Sequence, residues 1–314
     1  KMNLLELNLN RLKWEFFFLI YKITGKKVSL NSYYGKPVLS AEQGNQRIKE
    51  LLQGEEAVAI CRMGYNELIA TVECIRAELQ GKQVISDSTI KLMCNNAGFF
   101  PPTSDKLIEF SHLMRDVLCD VDLLGVWNNK QEDLVVKEYM TSSELCELRG
   151  LEPYYYDDAW SKVLAGKKVL VIHPFSNSIE HQYKRREKIY PTGILPDFTL
   201  ITQRAIQTAA GEKDSRFKDW FDALEYMYSE AIKIDFDVAI IGCGAYGLPL
   251  AVKLKRAGKK AIHMGGATQI LFGIKGKRWD NHPIISNLYN DSWIRPLDDE
   301  CPQGSKNVEN GCYW

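Results

Sequence analysis

Residues 237–247 read DVAIIGCGAYG, and residues 261–269 read AIHMGGATQ. The run DVAII (Asp237–Ile241) opens on a charged residue, ends at a glycine, and predicts a buried parallel strand. It leads directly into Gly242-Cys243-Gly244-Ala245-Tyr246-Gly247, a Gly-x-Gly-x-x-Gly string, and then into a helix predicted over 246–257. Glycines permit a tight turn and close backbone approach, and the N–H groups opening a helix favour an anion. The next strand, Ala261–Met264, ends on Gly265-Gly266 and continues into Ala267-Thr268-Gln269. Two adjacent glycine turns at strand ends form a crevice of the kind that holds ligands in open α/β sheets. The candidate phosphate cradle is therefore Gly242, Gly244, Tyr246, Gly247, Gly265, Gly266, Thr268 and Gln269. A strand–turn–helix without any ligand is the plainer alternative. A dinucleotide reading expects an acidic residue at the end of the second strand, where this chain has His263-Met264-Gly265-Gly266. An NAD(P)-dependent oxidoreductase stays open as an alternative on the glycine string alone.

Two further strand ends lie upstream. Ala57–Cys61 (AVAIC) predicts a strand that turns through Arg62-Met63-Gly64-Tyr65 into a helix over Asn66–Leu79. Arg62 can fork onto a phosphate, and Glu67 can ligate a divalent cation or act as a base. An Arg–Glu pair that merely fixes the turn fits equally well. Lys168–His173 (KVLVIH) runs into Pro174-Phe175-Ser176 and a polar helix. There Glu180 is a candidate general base, His173 and His181 candidate hydrogen-bond partners, and Ser176 a candidate phosphate contact. The alternative is helix capping around Ser178. Tyr154-Tyr155-Tyr156 and Trp160 either stack on a sugar or pack internally.

Elsewhere, 121–126 predicts a strand, and 43–53 and 216–234 predict helices. The segment 87–118 is predicted helical, broken at Gly98 and Pro101-Pro102, with Ser104 or Asp105 as the cap of its second half. Strands alternating with helices give an α/β, Rossmann-like fold, with a mostly parallel sheet covered by helices on both faces. The expected organisation is an N-terminal helical extension over 1–40 and one α/β domain over 41–314, ending in an irregular tail.

The chain has 314 residues with 40 basic and 40 acidic side chains, so no overall positive field points to nucleic acid. Eight cysteines form no CxxC pair, which argues against a structural zinc site and for reduced thiols in a cytoplasmic setting. No segment reaches the roughly 18 apolar residues that span a membrane; the nearest, Trp14–Ile20 (WEFFFLI), is too short. Its aromatic, basic-flanked character suits either a peripheral contact with the inner membrane face or packing on the domain or on a second subunit.

The trio RMGYNEL, VIHPFSNSIEHQY and AIIGCGAYGLPLAVKLKRAGKKAIHMGGATQILFGIKGKRW resembles bacterial proteins found among surface-polysaccharide biosynthesis enzymes, and is similar to the GT-D-type glycosyltransferases. That family's first motif reads approximately Arg-x-Gly-Asp-Gly-Glu, whose Asp-x-Glu part is tied to metal and nucleotide-sugar binding. Arg62, Gly64 and Glu67 match it, whereas Tyr65 stands at the aspartate position and Asn66 at the second glycine. The resemblance implies sugar transfer from a nucleotide-sugar donor to a growing glycan, lipid-linked in the expected case. Arg62, Gly64 and Asn66 would join the two glycine turns in binding the donor, and Lys275 or Arg278 in the GIKGKRW loop would add positive charge. Glu67 or Glu180 would be the base. A Mn²⁺ or Mg²⁺ requirement is left open because tyrosine is a poor ligand for a hard cation. A non-catalytic partner that binds a nucleotide sugar or glycan is the remaining alternative.

Overall fold

The structure is a computed structural model that describes residues 2–209, 214–302, 304 and 311–314. A nine-stranded sheet organises it. The strands are β1 (Ser32–Tyr33), β2 (Lys36–Leu39), β3 (Val58–Arg62), β4 (Leu123–Val126), β5 (Glu144–Glu147), β6 (Lys168–His173), β7 (Thr199–Arg204), β8 (Val238–Ile241) and β9 (Lys260–His263). Their spatial order is β1-β2-β5-β4-β3-β9-β8-β6-β7, with every pairing parallel except β1 with β2. The chain is thus α/β with a mostly parallel, Rossmann-like sheet.

The helices are α1 (Leu4–Thr24), α2 (Ala41–Gln53), α3 (Tyr65–Leu79), α4 (Asp87–Ala97), α5 (Ser104–Leu118), α6 (Glu132–Tyr139), α7 (Ser176–Tyr183), α8 (Arg186–Ile189), α9 (Trp220–Ala231), α10 (Gly247–Arg256) and α11 (Ala267–Leu271). The period-2 geometry of a strand sends alternate residues to opposite faces. Ala59, Cys61, Leu170, Ile172, Ala239 and Ile241 join one core with α3, α5, α9 and α10. Val58, Ile60, Val169, Val171, Val238 and Ile240 join a second core with α2, α7 and α11. Being buried on both faces is why these strands read as unbroken apolar runs.

The central strands lie within a residue or so of their predicted bounds, and β6 matches them. The break at Gly98 is a left-handed helix end, with φ +66°. Thr103, not Ser104 or Asp105, caps α5, because its hydroxyl accepts from the Lys106 N–H. Strands β1, β2, β5 and β7 were not foreseen, and β2 falls inside the segment read as a helical extension. No helix among the described residues is long and apolar enough to cross a membrane.

The connections after β3 and β8 carry α3 and α10 to the first face, while those after β9 and β6 carry α11 and α7 to the second. The chain therefore diverges on either side of β9. That divergence opens a crevice at the carboxyl ends of β3, β9 and β8.

Candidate functional site

A cleft of about 590 Å³ occupies this crevice, well within the range of small-molecule sites. The turn after β3 contributes Arg62, Gly64, Asn66 and Glu67, and the turns after β8 and β9 contribute Gly242, Gly244, Tyr246, Gly265, Gly266 and Gln269. His173 arrives from β6 and Arg278 from the C-terminal segment.

Arg62 is held from two sides. Its Nη1 donates to the Met264 carbonyl at 3.2 Å, and its guanidinium lies over the Trp127 ring, 4.1 Å from the centroid. Burial pulls its pKa down, while Glu152, Tyr313 and Glu67 act in the opposite direction. Arginine keeps its charge through such a shift, so the cleft holds a fixed cation. Glu67, the third residue of α3, folds its carboxylate over Gly64. A β-carbon built on Gly64 would stand 2.0 Å from Glu67 Oε2, so glycine there leaves room for the carboxylate.

The three glycines of the Gly-x-Gly-x-x-Gly string differ in role. A β-carbon on Gly242 would meet His173 Cδ2 at 2.5 Å and Thr268 Oγ1 at 2.7 Å, and one on Gly247 would meet the His263 ring at 2.1 Å. Both serve close packing. Gly244 has φ +59° and nothing within 4 Å of its would-be β-carbon, so its backbone faces open space. Gly265 also has φ +59°, and Gly266 lies against Tyr313 and Trp279. Thr268 and Gly247 therefore belong to the wall behind the cleft and not to its lining, a correction to their reading as ligand contacts.

Burial pushes His173 and His263 down to about 3. His173 Nδ1 accepts the Phe175 N–H at 2.9 Å, which leaves the proton of the neutral ring on Nε2. Both rings line the cleft as neutral groups.

Four further predicted residues lie elsewhere. Glu180 is exposed on α7, and Thr202 donates its hydroxyl to the carboxylate. The length of α7 carries Glu180 away from the strand end where its loop begins. His181 is likewise exposed, beside Arg185. Ser176 is buried at the start of α7, whose N–H groups are already taken by a carboxylate. Asn177 and Ser178 donate to Glu300 at 2.7 and 3.2 Å, leaving no vacant anion position. Lys275 sits over Tyr289 with its N–H bonded to the Ile294 carbonyl, outside the cleft. Of the aromatic run, Tyr155 lines the cleft, whereas Tyr154 and Trp160 are buried in the second core.

Glu152, Arg149 and Trp127 line the cleft without having been foreseen. Burial raises the pKa of Glu152, opposed by Arg62, Tyr154 and Arg149. All three follow the ends of β4 and β5. The rule that ligands gather at strand ends points to Trp127 from the predicted strand 121–126, and would have found Arg149 and Glu152 had ELCE (144–147) read as a strand, but its charged residues conceal it. The final residues Tyr313 and Trp314 also border the cleft. They are tied down by Gln269 Nε2 donating to the Tyr313 carbonyl at 3.1 Å and by the Arg278 N–H donating to Cys312 O at 2.9 Å.

The turn does not fit a divalent cation. Glu67 is the one carboxylate of the turn 62–67, and Tyr65 beside it is 54% exposed. Among the described residues no group of three or more His, Cys, Asp or Glu is placed to hold an ion.

No protein-family model, no curated protein and no solved structure matches this chain.

Proposed function

We propose that this protein is a glycosyltransferase that binds a nucleotide sugar in the cleft at β3, β9 and β8 and passes the sugar to a hydroxyl of a growing glycan. The observation that carries the reading is convergence. Three stretches more than 50 residues apart in sequence, those bearing the glycosyltransferase resemblance, each send residues into one cleft: Arg62 and Glu67, His173, and Gly244 with Gly265.

The chemistry requires a cradle for the diphosphate, positive charge on the leaving phosphate and a carboxylate near the acceptor hydroxyl. The turns at Gly244 and Gly265 would bring backbone close to the diphosphate. Arg62, fixed between Trp127 and Met264 O, would meet the charge developing on the leaving phosphate without reorganising. His173 would add a neutral donor through Nε2. Glu67 or Glu152 would accept the acceptor proton. Tyr155 and Trp127 offer faces for the sugar or base. No step is assigned to a metal. A lipid-linked acceptor would bring the protein to the inner face of a membrane.

The test is thermal shift against UDP-, GDP-, CMP- and dTDP-sugars and NAD(H), with and without Mn²⁺, followed by a transfer assay with the stabilising donor. A ligand at 100 times its Kd adds about 2.7 kcal/mol of stability. Stabilisation by one nucleotide-sugar class, weakened in Arg62→Lys, is expected. Stabilisation by NAD(H) alone, or by nothing in the panel, overturns the reading.

A further inference from the structure

The helix α1 packs on the domain by one side only. Leu7, Asn10 and Trp14 are buried. Asp133, itself buried, accepts from Asn10 Nδ2 at 3.0 Å and from Trp14 Nε1 at 2.7 Å, and pairs with Lys13. The opposite side carries Leu5, Leu9, Leu12, Phe16, Leu19 and Ile23, each between 52% and 75% exposed. Their spacing is four, three, four, three, four. This is the 3.5-residue seam of a coiled coil, not the broader stripe of a helix lying on a core. The leucines 5, 12 and 19 occupy one seam position of the heptad, and Leu9, Phe16 and Ile23 the other.

We propose that α1 is a self-association element, and that a second copy of the chain lays its own α1 in parallel along this seam. Three observations select that occupant. The first is area. At roughly 100 Å² of exposed apolar surface each, the six side chains offer about 600 Å² per helix, the low end of what one partner of a specific interface buries. The second is preorganisation. Three heptads are marginal for free helices, but α1 is already ordered by its buried face, by Asn3 accepting the Glu6 N–H, and by Gly25 at its end, so pairing carries little ordering cost. The third is charge. Two of the three cations of α1 are ion-paired within the chain, Arg11 with Glu15 at 2.8 Å and Lys13 with Asp133, and the third, Lys22, lies over the Phe18 ring. Orientation follows from the seam flanks. A parallel pair sets Asn8 opposite Lys13 and Glu15 opposite Ile20, with no like charges facing, whereas an antiparallel pair brings Glu15 against its own copy and Lys13 against its own copy.

Sedimentation velocity of the full chain from about 1 to 100 μM tests this. A dimer is expected. The double substitution Leu12→Glu/Phe16→Glu should weaken it roughly hundredfold or more, with circular dichroism unchanged, and Tm unchanged at concentrations where the wild type is itself monomeric, because both sites are solvent-facing in the single chain. Leu12→Cys should form a disulfide-linked dimer under mild oxidation above the wild-type background, because position 12 faces its own copy only in the parallel arrangement. A chain that stays monomeric across the range, or a dimer indifferent to the double substitution, overturns self-association through α1. A dimer that the double substitution abolishes but Leu12→Cys does not link overturns the parallel pairing. A monomer that floats with phosphatidylglycerol vesicles through Phe16 assigns the seam to lipid instead.

Discussion

The guanidinium of Arg62 and the backbone of Gly265 meet across the cleft: a β-carbon on Gly265 would lie 3.3 Å from Arg62 Cζ. One residue ends β3 and the other follows β9, adjacent strands some 200 positions apart in sequence. Contact between them joins the N-terminal turn to the second glycine turn.

Gly265→Ala should disturb this contact in two ways. The left-handed backbone costs a non-glycine residue roughly 1–2 kcal/mol, and the methyl presses Arg62 from its place over Trp127. Equilibrium urea unfolding should show that loss of stability. Ligand affinity, read by thermal shift or calorimetry, should fall about tenfold or more. Unchanged affinity would separate Arg62 from the ligand.

The carboxylates can be ranked by turnover. Glu67→Gln or Glu152→Gln should lower kcat by about 10²-fold or more in the transfer assay, whichever is the base. Glu180→Ala should leave turnover within about twofold, because its carboxylate is bound to Thr202 outside the cleft. A kcat lost only in Glu180→Ala would reverse the assignment.

Gly244 and Gly247 should respond differently to alanine. At Gly247 the methyl meets the His263 ring at 2.1 Å, an overpacking cost of about 1–3 kcal/mol that should appear in Tm without any ligand present. At Gly244 there is no clash, only left-handed strain of roughly 1–2 kcal/mol, so the larger effect should be on ligand affinity. Equal effects on both readouts would contradict this division of roles.

Stability should fall in mild acid. His173 and His263 stay neutral in the fold with pKa values lowered to about 3, whereas unfolded histidine takes a proton near 6.5. The unfolded state thus binds more protons between those values, so stability is full above about pH 6.5 and declines toward pH 3. Glu132 acts oppositely. Burial raises it to about 7, so its own contribution falls as pH rises from about 4.5 to 7. Urea unfolding at about pH 7.5, 6 and 5 should show the histidine-driven decline, and His263→Asn should flatten it. An unchanged slope in that variant would mean His263 does not carry the effect.

The amphipathic and apolar patterns of this chain are strong where a single periodicity governs. DVAII, KVLVIH and AVAIC are buried on both faces, and such strands advertise themselves by composition. The peripheral strands β2, β5 and β7 are only partly buried and carry lysine, glutamate, arginine and threonine, so their pattern merges with that of loops. Missing β5 hid Glu152 and Arg149, because both are recognisable only as residues beyond a strand end. Glu180 is the opposite case, placed outside the cleft. It follows a correctly predicted strand, but lies within a helix that leads away from the sheet edge.

By itself the sequence determined the local units: the two glycine turns, the Arg62–Glu67 turn, the central strands and the α/β alternation. These depend on short-range geometry, on what glycine permits and on which faces are apolar. Only the tertiary structure decided that β9 lies between β3 and β8, that Arg62 reaches Met264, and that Glu300 already fills the α7 N-terminus. Each of those outcomes rests on a contact between residues more than 100 positions apart, β3 with β9 in the first, set by strand order and helix-face packing, and one-dimensional periodicity carries no information about either.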